Sequence, residues 1–447
     1  MARPRIIPIR QELNKLIRPA RLEEIAVEAG AVQRQRKVQI TALFWTLVLG
    51  FAVGSKRTIA SLRRAYEMAT GTVLVPSAFY DRFTIEFAFF MRRVAGEVLD
   101  SLTGRYGKLQ DSLSHFRELL VTDSTVIRLH RMLEKKFPAC RTNHTKAAAK
   151  LHVVMNVKGA GLKSIKITSE RRHDGPVLTV GKWISDTLIL FDLGYFCWHL
   201  FDRINRNGGF FISRLKSNAN PTIVAVNHPS VHHARTLVGM KVQDAITFLR
   251  RQTIDVVVEL SFKKRKYKGK RRRAVARYRL VGVRDPIFRE YYLYITNVPT
   301  EILSAEDIAR TYAARWWVEL LFRQMKESYR LEHMPSSKDQ IVEPLLYATI
   351  LTVIAGRCLM DAVRRKLKAR GLRVREQRFA IVLASVAIEI LFLMVQRPVH
   401  TKMLLRHVSS TMLVEAIDPN ASRKGLIGDV ETRTHSYDIL KRFSFGP

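Results

Sequence analysis

The sequence predicts a mixed α/β fold in which a strand-rich central region is flanked by helical regions. Apolar residues recur at helical spacing through residues 1–115, strand-like runs begin at Glu118, and helical periodicity returns from Lys338 to about Gln396. The chain has 447 residues, of which 47% are hydrophobic. That composition excludes a wholly disordered protein, and the length is sufficient for two to four domains.

The charge balance points to a polyanionic partner. Lys and Arg number 76 and Asp and Glu 39, which gives a formal net charge of +37. Such an excess repels itself unless a polyanion neutralises it, so nucleic acid is the first candidate and an anionic membrane surface the second. Apolar stretches at 344–360 and 379–395 contain Arg357 and Glu389, which are costly in lipid. We therefore expect buried helices and no membrane partner.

Helices are expected at Leu22–Val32, Ile40–Phe51 and Phe83–Leu102 in the N-terminal region. Between them, Thr58–Phe83 has the outline of a helix, a glycine-containing turn and a second helix opened by Ser77. That order is typical of a helix-turn-helix, whose second helix enters the DNA major groove. A plain helical hairpin is the alternative.

The central region alternates strands with one helix, which indicates a mixed sheet. The predicted strands are Glu118–Leu129, Lys150–Lys158, Leu162–Thr168, Thr187–Leu193 and Gly209–Lys216, with a helix at Tyr195–Asn205.

Residues 217–299 read as a β-rich insertion with strands at Asp255–Phe262, Ala274–Val283 and Arg289–Val298. The turn between the first two strands is almost entirely cationic, and we interpret it as a DNA clamp, with a solvated loop as the alternative. Its cations are Lys263, Lys264, Arg265, Lys266, Lys268, Lys270, Arg271, Arg272 and Arg273.

Two strand acids are candidate functional residues. Asp123 shares a face of its strand with Leu119 and Val121, so its carboxylate needs a cation, hydrogen-bond donors or a metal. Asp192 ends an apolar strand, where active groups of open α/β sheets often lie. Each acid taken alone is also compatible with an ordinary turn or cap, and Asp174 is an alternative acid. Zinc is not indicated, because the chain has no CxxC pair and its histidine cluster at 228–233 lacks Cys or acid partners.

A long helix is expected to begin near Ser304 and to carry the third acid. Counted along one helix, Tyr312, Arg315, Glu319 and Lys326 fall within a stripe about 60° wide. A salt-bridge stripe on a solvated face is the alternative. Three acids with oxygen ligands suit Mg²⁺ or Mn²⁺, and two such ions about 4 Å apart support phosphodiester displacement. Spacing alone does not show that the acids converge.

These residues carry a family resemblance. Tyr312, Arg315, Glu319 and Lys326 match the pattern Y-x2-R-x3-E-x6-K at every position, and VTDSTVIRL and FDLGYF surround the two strand acids. The sequence resembles the DDE transposases of bacterial insertion sequences over roughly residues 115–335. The resemblance implies an RNase H-like catalytic core at 116–216 and 300–338 interrupted by the insertion. It also implies terminal-repeat binding by residues 1–115, with residues 339–447 a candidate for dimerisation.

The resemblance further implies an activity. Asp123, Asp192 and Glu319 would bind two Mg²⁺ ions, with Mn²⁺ as a substitute, to cleave DNA at element ends and transfer the freed strand into target DNA. Double-stranded DNA is the expected partner, a homodimer the expected synaptic form, and the bacterial cytoplasm and nucleoid the expected location. The residues expected to contact DNA are Tyr312, Arg315, Lys326 and the cationic turn, and the candidates for base stacking are Tyr291, Tyr292 and Tyr294.

Two other classes remain open from the sequence. A non-catalytic DNA-binding protein derived from a transposase would keep the basic surface without cutting DNA. A membrane-surface protein would use the same charge against anionic lipid.

Overall fold

The computed structural model describes most of the chain, with gaps where the placement of residues is too uncertain to describe. The described ranges are 6–32, 38–54, 56–102, 109, 111–140, 145–158, 161–227, 237–263, 273–285, 287–368, 372–396 and 401–417. Residues 264–272 lie outside these ranges, so of the predicted cationic turn only Lys263 and Arg273 are described.

The helical and strand regions follow the predicted order, and the mixed α/β class is confirmed. The N-terminal helices are α1 (Ile9–Asn14), α2 (Pro19–Glu28), α3 (Ile40–Gly50), α4 (Ile59–Thr70), α5 (Pro76–Tyr80) and α6 (Ile85–Leu102). Two helices, α7 (Trp198–Arg206) and α8 (Val242–Phe248), lie among the strands. The remaining helices are α9 (Ala305–Ala313), α10 (Trp316–Glu327), α11 (Asp339–Lys368), α12 (Glu376–Ser385), α13 (Ala387–Val395) and α14 (Lys402–Glu415).

The predicted helix-turn-helix is present only in outline. Helix α4 begins at a capping box formed by Thr58 and Ser61, and it ends at Gly71, whose φ of 71° is the left-handed conformation that glycine adopts without strain. Helix α5 has only five residues and no cationic side chain. One and a half turns without a cation do not match a recognition helix, so the order of elements is confirmed but the groove-reading helix is not found there.

Within the described residues the strands form one nine-stranded mixed sheet in the order β3-β2-β1-β4-β5-β9-β8-β7-β6. The strands are β1 (Glu118–Leu129), β2 (Ala147–Asn156), β3 (Gly161–Ser169), β4 (Thr187–Phe191), β5 (Phe210–Arg214), β6 (Thr222–Val226), β7 (Thr253–Lys263), β8 (Arg273–Arg284) and β9 (Tyr291–Thr296). Strands β1, β4 and β5 run parallel, whereas the other pairs are antiparallel. The insertion therefore extends the same sheet from β5 outward.

The two faces of the sheet bury different cores, because side chains alternate along each strand. Leu119 and Val121 of β1 face the large helical layer, whereas Leu120 faces the smaller core formed with α7 and α8. In β4, Leu188 and Leu190 likewise face the helical layer. The same alternation places the residues two positions after Val121 and Leu190 on the helical side.

The N-terminal and C-terminal helical regions, which the sequence predicts as separate domains, share one apolar core. The Thr352 hydroxyl of α11 donates to the Val48 carbonyl of α3, and Arg10 donates to the Leu393 carbonyl at 2.8 Å. Helix α11 has the length and hydropathy of a membrane span, but 89% of its apolar window is buried inside the protein. The prediction that this stretch is a buried helix is confirmed.

A buried ion pair within the insertion also contacts the chain just before α9. Arg279 of β8 binds Asp255 of β7, with Nε 2.9 Å from Oδ1, and both side chains are almost fully buried. The same guanidinium donates from Nη1 to the Leu303 carbonyl at 2.7 Å, next to Ser304, which caps α9. This pair therefore connects the insertion to the start of α9.

Breaking this pair from one side should destabilise the protein strongly. The substitution Asp255→Ala leaves the Arg279 charge buried and unpaired, which costs about 3–5 kcal/mol, so the thermal melting temperature should fall by several degrees. The matched control is Glu259→Ala on the same strand, because its partner Arg277 is 69% exposed and such pairs contribute about 1 kcal/mol or less. Equal losses in the two variants would contradict the anchoring role.

Candidate active site

Parallel pairing brings the two strand acids together. The register of β1 with β4 ends at the pair Thr122 and Phe191, so Asp123 and Asp192 are the next residue on each strand. Neighbouring strands lie about 4.8 Å apart, and each acid lies two positions after a residue that faces the helical layer. The two carboxyl groups therefore lie side by side at the carboxyl end of β4, on one face of the sheet.

The third acid comes from α10, which packs against β1 on that same face. Val318, Leu321 and Met325 are buried against the core, whereas the Glu319 side chain is 30% exposed. Glu319 therefore lies on the side of α10 that its apolar residues leave open.

Arg315 connects the acids. Its Nη2 lies 2.6 Å from Glu319 Oε1, and its Nη1 lies 3.7 Å from Asp192 Oδ1. The guanidinium is only 18% exposed, so these contacts are partly screened from water. The structure thus brings Asp192 to Arg315 and Glu319, which lie far from it in the sequence.

The prediction of one continuous helix through these residues is wrong. Helices α9 and α10 are separated at Ala314 and Arg315, where backbone N–H groups bond to the carbonyl three residues earlier, as in Arg315 to Tyr312 at 2.9 Å. Such bonds tighten the turn and rotate the following residues relative to an α-helix. As a result Tyr312 does not share an exposed stripe with Glu319.

Tyr312, which the sequence predicts to contact DNA, is buried and offers little surface to a ligand. Its side chain is 7% exposed, and its hydroxyl donates to the Phe191 carbonyl at 3.0 Å. The ring packs against Tyr294, with 5.2 Å between ring centroids. Tyr312 therefore holds the residue directly before Asp192. Tyr294 is 4% exposed and packs in the same ring contact, so little of its ring is available for base stacking.

The other predicted residues stand apart from the acids. Lys326 forms an ion pair with Glu332 at 2.8 Å, and its side chain is 34% exposed. Tyr291 donates its hydroxyl to the Arg251 carbonyl, and the Tyr292 ring lies under the Arg214 guanidinium at 5.4 Å. Both tyrosines are partly buried, so only part of each ring is available to a ligand.

The surroundings of Asp123 disfavour the ionised form of its carboxyl group. Burial, followed by the Asp192 carboxylate, raises the pKa of Asp123 to about 7, while the Ser124 N–H and Arg315 partly oppose the shift. Glu319 raises it further, which shows that the three carboxyl groups interact. Such a set of carboxylate oxygens fits a hard divalent cation, which would relieve the repulsion.

The acids are not arranged as a preformed metal cage. Among the described residues, no group of three or more His, Cys, Asp or Glu side chains has the geometry to hold a metal ion. Arg315 supplies positive charge between Asp192 and Glu319 instead. Metal binding would therefore require a rearrangement of these side chains.

Sequence reasoning missed an exposed apolar pair in the β8–β9 turn. Ile287 and Phe288 are 60% and 57% exposed, and their N–H groups donate to Asp285 Oδ1 at 2.7 and 2.9 Å. The sequence does indicate this pair, because it lies between two strand-like runs and next to arginines at 284 and 289.

The chain matches a family of known proteins and is similar to several named ones. Residues 114–354, which include all three acids, match the family described as Transposase DDE domain. The chain is 24% identical to the transposase for insertion sequence element IS231F of Bacillus thuringiensis subsp. israelensis, covering 80% of this chain and 81% of the relative. It is 23% identical to the transposase for IS1151 of Clostridium perfringens, covering 73% and 75%. The piggyBac transposase synaptic complex with hairpin DNA aligns over 99% of this chain and 91% of its own, with 12% identity and a TM-score of 0.46.

The pH dependence of stability should reveal the strain at Asp123. Its pKa of about 7 in the folded state exceeds the ordinary value of 3.8, so the folded state binds the proton more tightly and stability falls as pH rises through about 7. In a chelator, Asp123→Asn should therefore melt several degrees above the unmodified protein at pH 8, and the gap should shrink at pH 5.

A control separates this effect from the general loss of an acid. Glu327 is exposed on α10, so Glu327→Gln should change the melting temperature little at either pH. If Asp123→Asn gives no stabilisation at pH 8, the carboxyl groups do not interact as described.

Proposed function

Since this chain belongs to the transposase DDE domain family, we propose that Asp123, Asp192 and Glu319 are the catalytic acids of a DNA transposase that cleaves element ends and transfers the freed strand into target DNA. The observation that carries the proposal is the convergence of these acids on one face of the sheet, with Arg315 between two of them. We further propose that β1, β2, β3, β4 and β5 with α10 constitute an RNase H-like core.

The three acids would hold two Mg²⁺ ions, with Mn²⁺ as a substitute. When bound, such ions activate the attacking hydroxyl and stabilise the leaving oxygen. The Arg315 guanidinium, released from the carboxylates, would bind a phosphate as a fork, and Lys326 would bind one as a point charge. Tyr312 keeps Asp192 in place through the Phe191 carbonyl.

The sheet register supports a DNA path along one edge of the sheet, the edge at which β4 and β5 end and the acids lie. Strand β5 ends at Arg214, and Tyr294 of β9 pairs with it, while β8 ends at Arg284 opposite Tyr291. The β8–β9 turn therefore lies at the same edge as the acids, two to three strand spacings or about 10–15 Å from β4. We propose that the arginines at 214 and 284 bind phosphates along this path.

The cationic turn has a different place in this proposal. Lys263 and Arg273 lie at the opposite end of the 11-residue strand β7, about 35 Å from the edge that carries the acids. A duplex bound there would be contacted about ten base pairs from the cleavage site. We propose that this turn grips DNA at a distance rather than at the scissile phosphate.

Other parts of the function are proposed from the predictions made on the sequence. We propose that the N-terminal helices bind terminal repeats and that two copies of the chain bridge two element ends, with the C-terminal helices as the dimer contact. This activity would take place on the nucleoid of a bacterial cell. The alternative of a non-catalytic DNA-binding protein is excluded by any metal-dependent strand cleavage.

Removing one acid should separate binding from cleavage. We expect Asp123→Asn, Asp192→Asn and Glu319→Gln to bind end-containing duplex DNA like the unmodified protein and to lose cleavage in Mg²⁺ by at least about a thousandfold. Binding should persist because it depends on cations elsewhere, and it should weaken steeply as salt rises. Gel assays for binding and strand breaks measure both.

The matched control for Glu319 is Glu327→Gln on the same helix, since Glu327 projects away from Arg315 and is exposed. This variant should cut nearly normally. Loss of cleavage in Glu327→Gln with retention in Glu319→Gln would refute the assignment.

Base stacking is the role we propose for Phe288 in place of Tyr294. Phe288 is exposed at the edge that carries the acids, about three or four base steps from them, whereas Tyr294 is buried. An apolar side chain beside cations can insert between bases or stack on one that leaves the helix.

Fluorescence of 2-aminopurine placed within four nucleotides of the cleavage site would test this role. Binding of the unmodified protein should raise the fluorescence as the base unstacks, and Phe288→Ala should lose most of that rise and bind about tenfold more weakly. Phe288→Tyr should retain it. The control is Phe89→Ala, which removes another exposed phenylalanine beside arginines; with the DNA saturated by protein, it should leave the fluorescence rise unchanged. An undiminished rise in Phe288→Ala would contradict the role.

A further inference from the structure

A fourth carboxylate, Asp174, lies next to residues that directly follow each strand acid. Its Oδ1 accepts a hydrogen bond from the Ser124 hydroxyl at 2.9 Å. Its Oδ2 lies so close to Gly194 that a Cβ at that position would be 3.2 Å away. Asp174 precedes β4 in sequence, but it contacts the residue after Asp123 and lies beside the second residue after Asp192.

Each contact leads to one strand acid through a backbone N–H group. The Ser124 N–H donates to Asp123 Oδ1 at 2.7 Å, and the Gly194 N–H donates to Asp192 Oδ2 at 3.5 Å. The position of Asp174 therefore affects the groups that orient both carboxylates.

This contact lies where β1 loses its neighbour. The pairing of β1 with β4 ends at Thr122, so beyond that point one edge of β1 has no strand beside it on that side. The hydrogen bond from Ser124 to Asp174 holds this edge of β1 in place. The Asp174 side chain is partly buried, so the bond is stronger than it would be in water.

Asp174 does not lie with the other acids. Side chains alternate along β1, so Ser124 projects from the face opposite Asp123, and Asp174 binds on that opposite face. Its oxygens face hydrogen-bond donors and a cation: Lys150 Nζ lies 3.4 Å away, and His152 Nδ1 3.3 Å away. These contacts compensate the negative charge of the Asp174 carboxylate. Its position on the opposite face leaves Asp174 poorly placed to bind a metal ion shared with Asp123.

We infer that Asp174 is a positioning residue that fixes the relative orientation of Asp123 and Asp192 through Ser124 and Gly194. It is not a fourth metal ligand. The inference rests on the proposed function, because it assigns Asp174 a role toward the acids that would bind the metal. Partners that orient metal-binding side chains typically change metal affinity or activity by about 10–100-fold when removed.

The test combines Mn²⁺ binding by calorimetry, without DNA, with single-turnover cleavage in Mg²⁺. Asp174→Ala and Ser124→Ala should each weaken Mn²⁺ binding and cleavage about tenfold, and the double variant should be no worse than Asp174→Ala alone, because Ser124 acts through its bond to Asp174. Ser124→Thr keeps the hydroxyl and Asp174→Asn keeps an acceptor, so both should retain most binding and cleavage.

The control is Glu170→Ala. Glu170 lies with Asp174 in the connection between β3 and β4, and its carboxylate binds Arg128 and the Cys140 N–H. It should leave Mn²⁺ binding and cleavage unchanged. If Asp174→Ala does not fold, as judged by circular dichroism, Ser124→Ala carries the test.

Three results would overturn the inference: Asp174→Asn abolishing Mn²⁺ binding as Asp123→Asn does, additive losses in the double variant, or unchanged Mn²⁺ binding in Asp174→Ala and Ser124→Ala. The proposed function fails separately, if Asp123→Asn binds Mn²⁺ as well as the unmodified protein does.

Discussion

The repulsion among three carboxylates at the carboxyl end of β4 is the constraint on which the candidate active site depends. Parallel pairing of β1 with β4 forces Asp123 and Asp192 together, and α10 adds Glu319 from above. Like charges so close disfavour one another, and burial adds to the cost, as the raised pKa of Asp123 shows. Arg315 offsets part of this cost, so the site is held by one internal cation that a metal could replace.

The rest of the fold keeps that arrangement from relaxing. The Tyr312 hydroxyl donates to the Phe191 carbonyl and holds the chain just before α10. Arg57 donates to the Tyr329 carbonyl at 2.7 Å and holds the chain just after α10. Arg57 belongs to the N-terminal helical region, where its guanidinium also lies 4.0 Å from the Phe51 ring. The position of Glu319 is therefore tied to the region proposed to bind terminal repeats.

The insertion is coupled to the same helices from the other side. Arg279 binds Asp255 and the carbonyl before α9, so a movement of β7 and β8 would be transmitted to the helix that carries Tyr312. Because these polar groups are buried, their hydrogen bonds are stronger than surface contacts would be. Positions of β7 and β8 that break the bonds are therefore disfavoured. The DNA contacts proposed for the insertion would thus be connected through packed residues to the face that carries the acids.

The sequence by itself determined the mixed α/β class, most strands and the identity of the candidate acids. Alternation and helical spacing are local properties, so β1 is found at the predicted residues Glu118–Leu129. Only the tertiary structure decided that Tyr312 and Tyr294 are buried, that α9 and α10 are separate, and that Asp174 lies behind the acids. Burial and convergence depend on contacts between residues distant in sequence, and no local pattern encodes the neighbour that removes a side chain from water.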